Sequence, residues 1–441
     1  MSNKKLNINN AGKKNIVQKQ EMELNFETDS PAANKILKAQ ILTLPLSLII
    51  AVLIPSYFPV LIARQLVFYG ADSNCVRFNG AAFGNHCFGD FGALINGLNL
   101  DGKLWIDQGT PYPPFNLILM DLFNTLTSLP SPGILLTFYI ATLIVSMSLP
   151  IWWATERLGF LKRILITGIF SISTIPGIAI IDRGNNLVWS LPFLYKGLIE
   201  ISQGNFKRSI PFMAIAISLR PQLAIFAILY LMTRQIQSLL KLIFATITIY
   251  LVSFMYFSGF DIRQTVIKYI EGVISYGSGI PATWPPNLGL ARGLKSIFEM
   301  AKWNVPDEQT VLIGNFILLL VLAKIVLLSR REKLEETIFI LIPIIFLLSA
   351  MTWAYYGVYL FVGIAVMIHF KSSNLRIGSG NRSLGNAYLI CTGITLSPLF
   401  LPFRLNYENF TQYLVPISWT LFYLAFILVP KSRFQLKEEV V

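Results

Sequence analysis

The chain has 441 residues, 54% of them hydrophobic and only 13% charged, with 32 phenylalanines, which is more apolar weight than a soluble protein of this length buries. A water-soluble fold is excluded, and because about 20 apolar residues span the roughly 30 Å hydrocarbon layer, length here counts helices instead of domains. The net charge of +13 is distributed as short Lys and Arg clusters between apolar stretches, the positive-inside pattern of a membrane protein and not the stripe that binds nucleic acid.

In chain order, residues 1–38 are polar and rich in Asn and Lys, and read as a disordered basic cytoplasmic tail with no cleavable signal peptide. A first span is predicted at 39–63, its basic flank of Lys35 and Lys38 holding the start inside. Residues 67–132 then form a large extracytoplasmic loop that concentrates Asp72, Asp90, Asp101 and Asp107, and holds Cys75 and Cys87 near enough to form a disulfide. Within it, the spacing of Phe91, Leu94, Ile95 and Leu98 predicts a membrane-surface helix that tethers Asp90 at the outer interface. The apolar segment 115–129, interrupted by Asp121 and Asn124, predicts an outer-leaflet helix, because a full crossing there would put Arg157, Lys162 and Arg163 outside.

Crossings follow at 133–154, 164–181 and 189–201, exposing Asp182 to Asn186 on the outer side. Residues 209–234 are of span length with Arg220-Pro221 in the middle, which predicts two half-helices meeting inside the membrane. After a crossing at 239–257, residues 259–309 form the second large extracytoplasmic loop, with a surface helix expected around 292–303. Further crossings at 310–328, 337–350, 355–369, 387–403 and 413–429 complete about twelve, and leave 431–441 as a cytoplasmic tail. The expected architecture is an all-α polytopic membrane protein with its catalytic domain at 39–430, both termini cytoplasmic, in the plasma membrane.

Several constellations are missing from the sequence: a Walker phosphate loop, a dinucleotide fingerprint and His-Glu-x-x-His, with His86 and His369 the only histidines. No cofactor is expected and no ligand cluster dictates a metal, which leaves a divalent ion open. What remains is charge in or beside hydrocarbon, a functional hypothesis by default. Arg220, facing a wet cavity, can hold a phosphate through paired hydrogen bonds, or it can be a structural arginine paired with a helix-end carbonyl or an Asp. Asp90 can be a solvated loop acid, or a general base for a hydroxyl whose partner substrate is anchored in lipid.

Four stretches resemble one family. They are Asp90-Phe91 followed by Gly97 or Gly102 and Tyr112-Pro113-Pro114-Phe115; Arg183-Gly184-Asn185-Asn186, similar to a Gly-Gln-x-Asn segment; 214–221, with Arg220 where a Lys precedes Pro; and 349–360, where Tyr355-Tyr356 stand in place of a His-His pair. Asn287-Leu288-Gly289-Leu290 is a looser match to Asn-x-Ser-Leu. Their order and sidedness resemble the GT-C class of membrane glycosyltransferases, and more narrowly glycosyltransferase family 87, mannosyltransferases that use polyprenyl-phosphate-mannose.

The resemblance implies a GT-C-like fold and sugar transfer from a polyprenyl phosphate to a glycan or glycolipid acceptor at the outer face. It implies Asp90 as base with Asp72 in reserve, Arg220 and Arg183 on the departing phosphate, and a sugar pocket shaped by Tyr112 and Trp284. Asn186, Asn287, Tyr355 and Tyr356 are further candidate binding residues. The other readings are a transporter or flippase of a lipid-linked saccharide, for which an intramembrane Arg and a broken helix also speak, and a polysaccharide polymerase or ligase.

Overall fold

The computed structural model describes residues 27–53, 90–91, 112–125, 132–171, 173–258, 261–278, 283, 287–328, 334–347, 354–371, 382–396 and 410–429. Their regular structure is entirely helical: α1 (Pro31–Leu53), α2 (Pro114–Thr125), α3 (Pro132–Ala154), α4 (Phe160–Ser171), α5 (Ile175–Arg183), α6 (Leu191–Ser202), α7 (Phe206–Leu219), α8 (Ala227–Met232), α9 (Ile236–Ser258), α10 (Ile262–Ser278), α11 (Leu290–Met300), α12 (Asp307–Leu328), α13 (Leu334–Leu347), α14 (Tyr359–His369), α15 (Arg382–Leu396) and α16 (Phe410–Leu428), with 3-10 segments at Asn186–Ser190, Pro221–Phe226 and Ala354–Val358.

Among the described residues, three helices are long and apolar enough to cross a membrane by length and composition: Leu136–Ala154 of α3, Ile236–Ser258 forming α9, and Asp307–Leu327 of α12. The distribution of apolar side chains separates inside from outside. α13 and α14 are apolar around their whole circumference and buried, from Ile338 to Ile345 and from Val358 to Ile368 with few interruptions. α9 and α12 instead expose rows of large apolar groups, Phe244, Ile247, Leu251 and Val252 on one, Leu312, Phe316, Leu319 and Leu327 on the other. Water does not tolerate a contiguous surface of that kind, whereas lipid does. The pattern is that of a helical membrane protein.

Helix ends fall where local chemistry puts them, and several differ from the sequence expectation. α1 starts at Pro31, inside the expected 1–38 tail, because Ser30 Oγ accepts the Ala33 amide at 3.2 Å and Pro31 occupies the first turn. The single crossing expected at 164–181 is two short helices, α4 and α5. Thr174 caps α5, its Oγ1 accepting the Gly177 amide at 3.4 Å, and Pro176 sits in the first turn, so the start signal breaks what hydropathy reads as one rod. The break expected at Arg220 is present. α7 stops at Leu219 and Arg220 is extended (φ −147°, ψ 97°), the conformation forced on a residue before proline.

The segment 115–129 is represented by α2, whose 12 described residues reach about 18 Å, with residues 126–129 outside the described ones. The surface helix expected at 292–303 is α11, and it is docked instead of free: Arg292 is 3% exposed, and a Cβ on Gly293 would lie 2.4 Å from the Pro416 carbonyl oxygen of α16. α10, in the same expected loop, had no counterpart in the sequence reading. The proposed surface helix after Asp90 lies outside the described residues except for residues 90–91, which are helical, as do the Cys75 to Cys87 bridge, Asp72 and Trp284.

Two layers of polar groups mark the ends of the bundle. Tyr355 and Tyr356 precede α14, and His369 ends it, roughly 25 Å away along the 3-10 segment and helix. At the His369 end, Asp29 pairs with Lys371 at 3.3 Å, and a small cavity is lined by Asp29, Glu156, Arg157, His369 and Lys371. The candidate site residues gather at the Tyr355 end.

Candidate functional site

The turn from α5 into the first 3-10 segment builds the site. α5 ends at Arg183, and Gly184 takes the left-handed conformation (φ 63°, ψ 40°) that lets its amide reach back to the Ile180 and Ile181 carbonyls. Asn185 then returns to extended backbone, and its Oδ1 accepts the Leu187 amide at 2.9 Å to start the 3-10 segment. Three polar side chains within four residues, from Arg183, Asn185 and Asn186, are thereby aimed at one buried spot.

Asp90, 5% exposed, meets them there. Arg183 grips its carboxylate with two prongs, Nε to Oδ2 at 3.0 Å and Nη2 to Oδ1 at 2.8 Å, and Asn185 Nδ2 donates to Oδ2 at 2.7 Å. Among the described residues Oδ1 has only the Arg183 bond, which leaves it one accepting position. Bidentate pairing of this kind fixes the plane as well as the place of the carboxylate.

Arg220 reaches the same spot from the helix break and is 7% exposed. Its Nη2 donates to Oδ1 of Asn185 at 3.2 Å and to Oδ1 of Asn186 at 2.9 Å, and its Nε has no hydrogen-bond partner among the described residues. Asn186 and Asn116 of α2 exchange two hydrogen bonds, 3.1 and 2.6 Å, both residues being buried. One chain of contacts therefore runs from Arg183 through Asp90, Asn185, Arg220 and Asn186 to Asn116.

Phenols surround this chain. The Tyr112 ring lies 5.8 Å from the Arg220 guanidinium and the Tyr355 ring 5.2 Å from that of Arg183, distances at which a cation is drawn to an aromatic face. Tyr356 stacks on Tyr355 at 5.1 Å, and Tyr359, Tyr250 of α9 and Tyr269 of α10 lie within electrostatic range of Arg220. Beneath, Tyr139 of α3 supports both halves: its hydroxyl donates to the Gly184 carbonyl at 2.8 Å and its ring packs 4.4 Å from Phe91.

The charge count is uneven. Two buried guanidiniums share one carboxylate among the described residues, and the one left over, Arg220, is bonded to neutral amides alone. Amide oxygens solvate a guanidinium without cancelling it, so the described residues of the pocket carry a net positive charge out of water. No three His, Cys, Asp or Glu side chains gather as a metal site among the described residues.

Of the residues singled out in the sequence, Asp90, Arg183, Asn186, Arg220, Tyr112, Tyr355 and Tyr356 come together. Asn287 does not join them: it starts α11, its Oδ1 accepting the Gly289 amide at 2.9 Å, and no hydrogen bond among the described residues ties it to Asp90 or Arg220. Arg183 has a different partner from the one expected, the base candidate itself. Asn116, Asn185, Tyr139, Tyr250, Tyr269 and Tyr359 were missed. Asn116 carried a signal, an amide in the first turn of a mostly apolar helix, while the tyrosines gave none that separates them from ordinary interfacial aromatics. No protein-family model matches the chain, and no curated protein or solved structure does either.

Proposed function

We propose that the chain is a membrane glycosyltransferase of the GT-C kind, lodged in the plasma membrane with both termini cytoplasmic, that moves a sugar from a polyprenyl phosphate to a hydroxyl acceptor at the extracytoplasmic face. The observation that carries the reading is Arg220, a buried guanidinium with neutral partners and a free Nε, one amide away from a carboxylate with a spare lone pair. A cation in that state calls for an anion that the described residues do not supply, and a carboxylate beside it calls for a proton donor.

In this reading the acceptor hydroxyl gives its proton to Oδ1 of Asp90 as its oxygen bonds to the anomeric carbon. The bond from that carbon to the phosphate oxygen breaks, and its electron pair leaves with the phosphate, whose added charge Arg220 offsets. Displacement from the opposite face inverts the anomeric centre. Arg183 holds the carboxylate in place through its two hydrogen bonds, and Tyr112, Tyr355 and Tyr356 offer faces to the sugar. Sidedness follows from the basic clusters: the end with Arg157 and Lys371 is cytoplasmic, and the site is at the other.

The test is turnover of the purified chain in lipid with candidate polyprenyl-phosphate sugars, wild type against Asp90→Asn. The expected loss is about 10²- to 10⁴-fold. Unchanged turnover removes Asp90 as base, and donor binding with no transfer by the wild type moves the chain to the flippase reading, for which the broken helix at Arg220 also speaks.

A further inference from the structure

Resting on that reading of Arg220 as an anion site, we infer that Asn185 is a positioning residue whose neutrality keeps the site chargeable: it joins the base to the phosphate-binding guanidinium while leaving the guanidinium's charge for the substrate. Asn185 is the one side chain among the described residues that hydrogen-bonds to both. Its Nδ2 donates to Asp90 Oδ2 at 2.7 Å, and its Oδ1 accepts from Arg220 Nη2 at 3.2 Å and from the Leu187 amide at 2.9 Å.

The orientation of this amide is dictated from both ends. Two N–H donors converge on Oδ1, so the other atom has to be the NH₂, and an NH₂ facing Asp90 bonds only to an acceptor. The carboxylate's Oδ2 is thus saturated by Arg183 and Asn185, and the lone pair available to an acceptor hydroxyl is on Oδ1, on the side away from the amide. The contact also fixes how far the proton-accepting oxygen sits from the cation that receives the leaving phosphate.

An aspartate at 185 has the same shape and the same bond to Leu187, and it would pair with Arg220 more strongly than the amide does. That is the reason it would fail. Its carboxylate would supply the missing anion internally, bringing the buried charge of the described residues from one net positive to zero, and would face Asp90 with like charge. The same shape with a different charge separates positioning from simple packing.

The measurement is binding of monododecyl phosphate, doped into uncharged detergent, to the full-length chain, read as the thermal shift it produces. The wild type is expected to be stabilised and Asn185→Asp to bind about a hundredfold more weakly, the effect of one unit charge some 6 Å away at an effective dielectric of about 20. The double variant Asp90→Asn/Asn185→Asp restores the wild-type charge count and is expected to recover part of the affinity, because the like charge at 90 is gone while the carboxylate at 185 still pairs with Arg220. It also keeps the test sharp should the single variant fold poorly. If Asn185→Asp binds the phosphate as the wild type does, or if the double variant stays as weak as the single one, the inference falls while Arg220 as an anion site stands. If the wild type itself gives no shift, Arg220 is not an anion site, and both readings fall together.

Discussion

Two cations interrupt apolar stretches of the chain, Arg220, buried at the break after α7, and Lys324, half-buried near the end of α12, and their surroundings are opposite in kind. Lys324 Nζ donates to three carbonyls at the C-terminal end of α16, those of Phe426, Ile427 at 3.0 Å and Val429 at 2.6 Å, and lies 5.0 Å from the Phe426 ring. Its three protons meet three oxygens that a helix end leaves without intrahelical partners, at the negative end of the helix dipole. Arg220 has five protons, spends two on neutral side-chain amides, and keeps Nε without a partner. A cation whose donors are used up is part of the framework. One with donors and charge to spare is part of a site, and partner inventory is what separates the two.

The contrast breaks most easily at Arg220. Arg220→Gln is expected to lower turnover by about 10²- to 10³-fold, since in the proposed transfer it removes the donor that meets the leaving phosphate, while thermal stability holds or rises because a buried charge with no anionic partner among the described residues is gone. A large fall in stability with turnover per folded molecule preserved would make Arg220 a second Lys324. Lys324→Met should behave in reverse. Three carbonyls lose their donor, stability falls by about 1–3 kcal/mol, and turnover per folded molecule is unchanged, as thermal unfolding and a transfer assay on the same preparation would read.

The same contrast explains how much was legible in the sequence. Positive-inside bookkeeping and apolar runs place α3, α9, α12 and α16 within a few residues, because each is a long segment whose composition alone determines its solvent. Proline before the middle of a run gives the break at Arg220, since that restriction is local. The split between α4 and α5 was hidden because hydropathy averages over the Thr174 cap that makes it. Asp90 and Arg220 are 130 positions apart, and their common neighbour Asn185 is an ordinary turn residue until the left-handed Gly184 aims it inward. Lys324 left no mark at all, one lysine in a long apolar window. Sequence records which charges enter the membrane, and only the fold records which of them are answered.

Tyr139 tests whether the support beneath the site belongs to the framework or to the chemistry. Its ring holds Phe91, the neighbour of Asp90, and its hydroxyl holds the Gly184 carbonyl, so one side chain spans the two segments that carry the carboxylate and the amide. Tyr139→Phe keeps the ring contact and deletes only the hydrogen bond, which costs about 0.5–1.5 kcal/mol of stability, or somewhat more because the carbonyl it leaves is buried. If the whole of that cost fell on the placement of Asn185 relative to Asp90, turnover would drop by no more than about tenfold. Framework behaviour is a small fall in unfolding temperature with turnover nearly intact, and this is the expected result, since the αL turn at Gly184 is also held by its own amide bonds to Ile180 and Ile181. A drop in turnover beyond tenfold at full folding would mean that the turn is not held by those bonds, and that the aim of Asn185 depends on Tyr139.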